Sequence, residues 1–309
     1  MRTVSTAAGA AGIARWGGRS ASRGRWGLVP AMPALAWFAV FTLGPVAALF
    51  YFSTQQWRAI TAPRQFVGLD NFARIFSDGV FGQALVNTAV QLAIALPSIV
   101  AGAFALAYYL TLDPPGHRVI RTLLFTPVLL SAPALAMVFL GVFGPSGLVN
   151  GVLEGVGLTE WQRAWLSDGT TGLAAIIGIG VWSGTAVSTV MFNARLSALP
   201  HEVFDAAELD GAGHLRRIVS IAAPMCREFI GVVTTLQFLW TLFGSAALVL
   251  LLTRGGPGND TVTLAFLSYD YAFGRQQVGY SQAIAVVLFA VGALGLIGIR
   301  ALFDERSTS

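Results

Sequence analysis

No lysine occurs among the 309 residues, cysteine occurs once, histidine occurs three times, and charged residues of every kind make up only 11% of the chain. Each scarcity closes off a class of function. Without lysine there can be no Gly-rich loop with Lys and Ser/Thr to cradle nucleotide phosphates, so any ATP that drives this protein must be handled by another polypeptide. The lone Cys226 cannot form an internal disulfide and, beside Arg227, reads as a small structural residue. His117, His201 and His214 lie between the long apolar runs rather than within them, where they assemble neither a metal site nor a catalytic dyad. No bond chemistry and no cofactor are expected of this chain.

What is abundant is apolar. Hydrophobic residues make up 55% of the chain and the mean hydropathy is +0.69, whereas a soluble domain carries about 25% charge. Apolar runs long enough to cross a bilayer, about 20 residues at 1.5 Å rise each, recur near residues 31–53, 84–110, 119–143, 172–194, 229–252 and 280–300. The expected fold is therefore an all-α integral membrane protein with about six transmembrane helices. An even number of crossings puts both termini on one side.

Arginine sets the orientation, because positive charge is retained in the cytoplasm. Arg2, Arg15, Arg19, Arg23 and Arg25 precede the first span, Arg118 and Arg121 follow the second, and Arg195, Arg216, Arg217 and Arg227 follow the fourth. With Arg300 and Arg306 after the sixth, they outnumber Arg58, Arg64, Arg74, Arg163, Arg254 and Arg275 on the other side by about two to one. Both termini are accordingly expected in the cytoplasm, and the pI of 9.7 reflects topology and contact with anionic membrane lipid, not nucleic-acid binding. Residues 1–27, rich in Ala, Gly and Arg, and residues 304–309 read as cytoplasmic tails, the first of them disordered. The apolar stretch from Leu28 to Phe52 is too long for an ordinary signal-peptide core, so it reads as a retained span.

The interiors of the spans hold almost no ionisable side chain. Ion-coupled carriers usually place carboxylates or histidines there to bind the driving ion, so a secondary carrier is disfavoured. Gly178, Gly180 and Gly184 lie inside the fourth span, where close helix packing accounts for them.

The inner segment 195–228 is patterned. Pro200 suits a first helical turn, Val203, Phe204 and Ala207 share a face, and Gly211 permits a stop. After Gly213, the residues Leu215, Ile218, Val219 and Ala222 recur at helical spacing, and Pro224 is expected to end the second helix just before the next span.

The run Asp205-Ala206-Ala207, then Gly211, then Ile221-Ala222-Ala223-Pro224 resembles the EAA loop of bacterial ABC-importer permeases, and Glu208-Leu209-Asp210-Gly211-Ala212 resembles its version in the carbohydrate-uptake subfamily. Asp205 stands where Glu is usual and Ala223 where Leu is usual. A second stretch is similar to the outer loop and last span of the first permease of sugar importers, the MalF-like type. It comprises Leu252-Thr253-Arg254-Gly255-Gly256-Pro257, Thr261, Tyr269, Phe273 and Gly279-Tyr280-Ser281-Gln282-Ala283. Gly68-Leu69-Asp70-Asn71-Phe72 and Asn87-Thr88 fit the same subfamily, so the resemblance covers about residues 28–303.

That resemblance implies a type I ABC-importer permease in the bacterial inner (plasma) membrane. Its partners would be a second, MalG-like permease subunit, two ABC ATPase subunits that bind the ATP and Mg, an extracytoplasmic solute-binding protein, and lipid. Asp205, Ala206, Ala207, Asp210, Gly211, Ile221 and Pro224 would form the loop that docks into the ATPase. In the fifth span Gln237, Trp240, Thr241 and Gly244 fall at i, i+3, i+4 and i+7, on one face. In the maltose importer's MalF subunit the corresponding helix contacts sugar. Counting from Pro224 places those contacts on these four positions, and counting back from Asp205 adds Ser183 and Gly184. Close helix packing explains the same residues. For Asn87, Gln91 and Asn193, packing or capping is the better reading. The solute would be a sugar or oligosaccharide, with a glycerol-phosphate-type ester as the alternative; the absence of arginine at mid-span favours the neutral solute.

Overall fold

A computed structural model describes residues 31–58 and 61–303. The tails expected at 1–27 and 304–309 lie outside the described residues. The chain divides into two compact units, residues 1–47 and 48–309. In the first, the described residues from Met32 onward are helical and belong to α1 (Met32–Ser53), which contains a π-helical turn at Ala39–Leu43.

The second unit continues with a short antiparallel pair, β1 (Gln55–Gln56) and β2 (Gln65–Phe66), in which Gln55 faces Phe66. There follow α2 (Asp70–Ser77), α3 (Gly79–Thr111), α4 (His117–Phe125), α5 (Ala132–Phe143), α6 (Leu148–Gly155), α7 (Gly169–Leu196), α8 (His201–Leu209), α9 (214–225), α10 (Arg227–Leu252), α11 (264–274) and α12 (Val278–Phe303). Six segments are long and apolar enough to cross a membrane: α1, α3, Ala132–Gly155, α7, α10 and α12. The fold is thus helical and multi-pass, as composition implied.

The third crossing differs from expectation. The stretch 119–143 is not one helix. Its first part forms α4 and a 3-10 turn at Thr126–Leu129. Leu130 and Ser131 are then extended, and α5 starts afresh with the Ser131 hydroxyl accepting from the Ala134 amide at 3.5 Å. Pro127 and Pro133 donate no backbone hydrogen bond, which makes a continuous helix through this stretch costly. The apolar crossing shifts forward to Ala132–Gly155, itself interrupted by extended backbone at Gly144 and Gly147.

Helices α3 and α7 pack along much of their length because small residues let their backbones approach. Ala84, Ala95, Ala103 and Ala107 on α3 and Gly184, Ala186 and Ser188 on α7 are all buried. One apolar cluster joins α3, α5, α7, α10, α11 and α12, with Leu242, Leu264, Leu267 and Ile284 fully buried in it. A second cluster sits at the far end of the bundle. Here Phe104 of α3 meets Phe192 of α7 edge-on at 5.2 Å, and Phe192 meets Phe229 of α10 at 6.0 Å. Phe204 of α8 and Ile218 of α9 pack on it, so the surface helices are keyed to three spans at once.

Candidate functional site

The loop between α7 and α10 is built by local rules. Helix α8 starts after extended Pro200 and ends with Asp210 as its last cap. Gly211 then takes the left-handed conformation, φ +77°, which a side chain disfavours. The Gly211 amide donates to the Glu208 carbonyl and the Ala212 amide to the Ala207 carbonyl, both at 2.9 Å. This is the paired closure that a helix end needs to satisfy its last carbonyls. It explains why Gly follows Asp210 at this position. The turn is braced by a 2.8 Å ion pair between Arg217 and Glu208, and by Tyr108 of α3, whose hydroxyl lies 3.4 Å from the His214 ring nitrogen.

Pro224 does not stop α9 as expected. The helix widens into a π-turn at Ile218–Ala222, passes through Pro224 and ends at Met225, and the chain turns at Cys226. In α1 the π-turn Ala39–Leu43 likewise stands two residues before a proline, Pro45. Widening the backbone ahead of a proline removes the clash between its ring and the carbonyl one turn back, so the helix is not forced to end.

What α8 and α9 do with their apolar residues is unusual. Phe204 and Ile218 turn inward, but Leu209 is 90% exposed and Leu215 75%, with Val203 and Val219 also exposed. Asp205, Ala206, Glu208, Asp210 and Gly211 share that open surface, while Ala207 and Ile221 are half-buried and Pro224 is exposed. The result is an exposed ridge, apolar at its tip and acidic at its flank, rigidly backed by Phe204.

The face expected in the fifth span splits in two. Gln237 is 6% exposed and its amide nitrogen donates to the Ser188 hydroxyl at 2.8 Å and the Gly184 carbonyl at 3.3 Å. A Cβ on Gly184 would stand 2.7 Å from Ile99 and 2.9 Å from the Gln237 Oε1, so glycine is required for this contact. Thr241 is buried as well, and Ser183 keeps a buried hydroxyl without a partner, as Gln237 does its Oε1. Trp240 and Gly244 instead lie on the open side, Trp240 at 71% exposure. Asn87 and Asn193 do what packing residues do. Asn87 donates to the carbonyls of Asp260 and Val262 at 2.8 and 2.9 Å, and Asn193 to that of Ala107 at 3.3 Å. Gln91 is buried with its Oε1 unpartnered.

At the opposite end of the bundle stands a cluster that the sequence did not announce. Asp78 caps α3 by accepting from the Val80 amide at 2.9 Å, and its other oxygen accepts from the hydroxyls of Tyr280 and Tyr271 at 2.7 and 3.0 Å. Burial pushes the Asp78 carboxyl up, but the donors from Tyr280, Tyr271, Val80 and Phe81 outweigh it and hold the group below the usual carboxylate range. Burial, reinforced by the Asp78 charge, raises the Tyr271 phenol. The Arg74 guanidinium lies 4.0 Å over the Tyr280 ring. Only Tyr280 carried any signal beforehand, as part of the Gly-Tyr-Ser-Gln-Ala run. Asn71 ties this region down by donating to the carbonyls of Ser53 and Gln55 at 2.8 and 3.0 Å, which gives the Leu69-Asp70-Asn71-Phe72 run its physical reason.

With this geometry in place, likeness to known proteins decides the family. Residues 108–308 match the family described as binding-protein-dependent transport system inner membrane component. The chain belongs to that family. It is 33% identical over 275 residues to a probable ABC transporter permease protein, YurN, of Bacillus subtilis, an alignment covering 87% of this chain and 93% of YurN. It is 32% identical over 274 residues to the diacetylchitobiose uptake system permease protein NgcF of Streptomyces coelicolor, covering 83% and 76%. Its fold matches a chain of a bacterial ABC transporter involved in import of the acidic polysaccharide alginate, with a TM-score of 0.75 at 19% identity, covering 92% of this chain and 96% of the other. The chain is thus a multi-pass ABC-transporter permease, and Asp205 to Pro224 lie within the matched family region.

Proposed function

We propose that this chain is one permease subunit of an importer for a neutral sugar or oligosaccharide, driven by a separate ATPase that grips the Asp205–Gly211 ridge. The observation that carries the reading is the construction of α8: a helix closed by Gly211, backed into three spans through Phe204, with Leu209 and Leu215 left open. Exposed apolar side chains rimmed by charge mark a surface completed by a partner. Asp205 and Glu208 supply acid for a basic contact on that partner.

In this reading the termini and the ridge face the cytoplasm, and a second permease subunit covers the open side of α10. Trp240 supports the latter. It lies near the middle of α10, where an indole N–H facing lipid would lack an acceptor. A partner subunit, or a sugar hydroxyl in a path between the two subunits, supplies one. Gln237 works differently, locking α10 to α7 through Ser188 and Gly184 so that both respond when α8 moves. Closure of the ATPase pair thereby rocks the spans and alternates access to a central site.

The relatives' sugar substrates favour carbohydrate, and no basic side chain lies in the interior of the six spans to hold a phosphate. The test is reconstitution of the permease pair with its ATPase and binding protein in liposomes. ATP-dependent uptake of the neutral oligosaccharide that the binding protein retains supports the reading. Uptake by this chain alone, driven by an ion gradient, would overturn it.

A further inference from the structure

The end of the bundle away from α8 carries a polar cavity of about 570 Å³ lined by Trp57, Arg58, Asp70, Arg74, Arg275 and Tyr280, among others. None of these residues belongs to the ridge or to the α7–α10 contact. Three arginines face one carboxylate across the cavity, and only Arg275 is paired, with Asp270 at 2.7 Å. Arg74 spends its donor on a neutral acceptor, the Gln277 Oε1 at 2.7 Å, and among the described residues neither it nor Arg58 has an ion-pair partner.

An aromatic wall with a further arginine stands beside them. Trp57 is 9% exposed, yet its indole Nε1 is buried with no partner. Arg64 stacks 4.2 Å over the same ring and adds to the positive field. Arg58 and Arg74, guanidinium groups in the cavity wall without an ion-pair partner among the described residues, fit an oxyanion that accepts several hydrogen bonds, and a carboxylate is the form a protein presents.

We propose that this cavity is a socket for an acidic side chain of the extracytoplasmic solute-binding protein. The proposal rests on the importer reading above and adds to it where and by what chemistry that protein docks. The cavity is assembled wholly from the segments 56–74 and 275–280, on the side of the spans opposite α8, where solute must be handed over. It is also wired to the spans. Arg74 holds Gln277 at the head of α12 and covers Tyr280, whose hydroxyl holds Asp78 at the head of α3. A carboxylate that draws Arg74 away from Gln277 acts on the group that ties these two spans together, so docking and release of the outer end are linked.

The test uses the whole transporter in nanodiscs and its solute-loaded binding protein, with affinity measured by interferometry over a salt series. Arg74→Glu should weaken binding at least ~10-fold and flatten its salt dependence, and Arg74→Ala should do the same to a lesser degree. Arg163→Glu, a charge change on the same side but outside the cavity, should stay within about 2-fold of wild type. Equal weakening by Arg74→Glu and Arg163→Glu, or no change in either, would overturn the socket. Stimulation of the ATPase by acetate or inorganic phosphate without binding protein, lost in Arg74→Glu, would also overturn it, in favour of a small-anion site. ATP-driven uptake by the wild-type transporter in the same preparation keeps the two readings apart. Its absence counts against the importer itself, and its presence with unaltered Arg74→Glu affinity counts against the socket alone.

Discussion

The segment between α7 and α10 and the segment between α10 and α12 are similar in length and opposite in construction. The first is tied to the spans by Phe204 and Ile218 packing and by one Tyr108–His214 contact, and leaves Leu209 and Leu215 in the open. The second buries Leu264, Phe266 and Leu267, and is stitched to distant helices. Asn87 and Thr88 of α3 hold its start, Ser245 meets Thr263 at 3.2 Å, and Ser281 and Ser268 bond each other near its close. An element that satisfies its own polar groups and hides its apolar ones is built to hold helices together. One that leaves Leu209 and Leu215 bare has the construction of a surface that a partner covers.

The contrast can be broken most severely at the holding end. A side chain on Gly279 would run into the Gln55 carbonyl oxygen, where strand β1 crosses the head of α12. Gly279→Val should therefore cost about 3 kcal/mol or more and abolish monodisperse protein on size-exclusion chromatography in detergent. At the gripping end the prediction is different in kind. Space beside Gly211 is open, so only its backbone conformation resists a side chain. A β-branched residue there should lower uptake at least ~10-fold, since a left-handed residue costs about 1–2 kcal/mol or more. Gly211→Val should do this while leaving the protein in the membrane, and Gly211→Asn, which tolerates that conformation, should keep uptake near wild type. Loss of uptake in both would shift the cause from backbone to surface shape.

A smaller effect is expected at Asp78. Its removal leaves two phenols and the α3 amides without their acceptor, so Asp78→Ala should lower stability by about 2 kcal/mol. The pH dependence follows from its lowered pKa. The folded protein binds this proton less readily than the unfolded chain, so the contribution is complete above the ordinary carboxylate value and is lost as pH falls through the lower, folded value. A melting-temperature series should show wild type losing this contribution below about pH 4, and Asp78→Ala lacking that part of the acid limb. The smallest effect should be Leu209→Ala. At 90% exposure, its loss should change the chain's own stability by less than about 0.5 kcal/mol, yet weaken copurification of the ATPase.

These two regions also differ in how far the sequence disclosed them. The loop 195–228 is legible because its rules are local: Pro200, the Gly211 closure and the helical spacing of Leu215, Ile218 and Ala222 all act within a few residues. Even there Pro224 misled, since a π-turn absorbed it. The Asp78 cluster was nearly invisible, because Asp78 lies about 200 residues from both tyrosines and only Tyr280 belongs to a local run. The third crossing was displaced for a related reason: hydropathy alone runs smoothly across Pro127 and Pro133, while backbone hydrogen bonding does not. Gln237 and Gly184 meet where α10 packs on α7, and periodicity could not tell such a contact from a wall of a path. Burial separates them, leaving Trp240 and Gly244 on the open side.

The claim on which the functional account depends is that the α8 ridge is held by an ATPase from the cytoplasm. The chain's single cysteine, Cys226, is buried, so a cysteine placed at Leu209 can be probed with little background. In membranes holding the assembled transporter, Leu209→Cys should crosslink to the ATPase subunit, with a yield that changes on adding nucleotide. Labelling of that cysteine by an impermeant maleimide from outside the cell, or the absence of any crosslink to a nucleotide-hydrolysing subunit, would contradict the account.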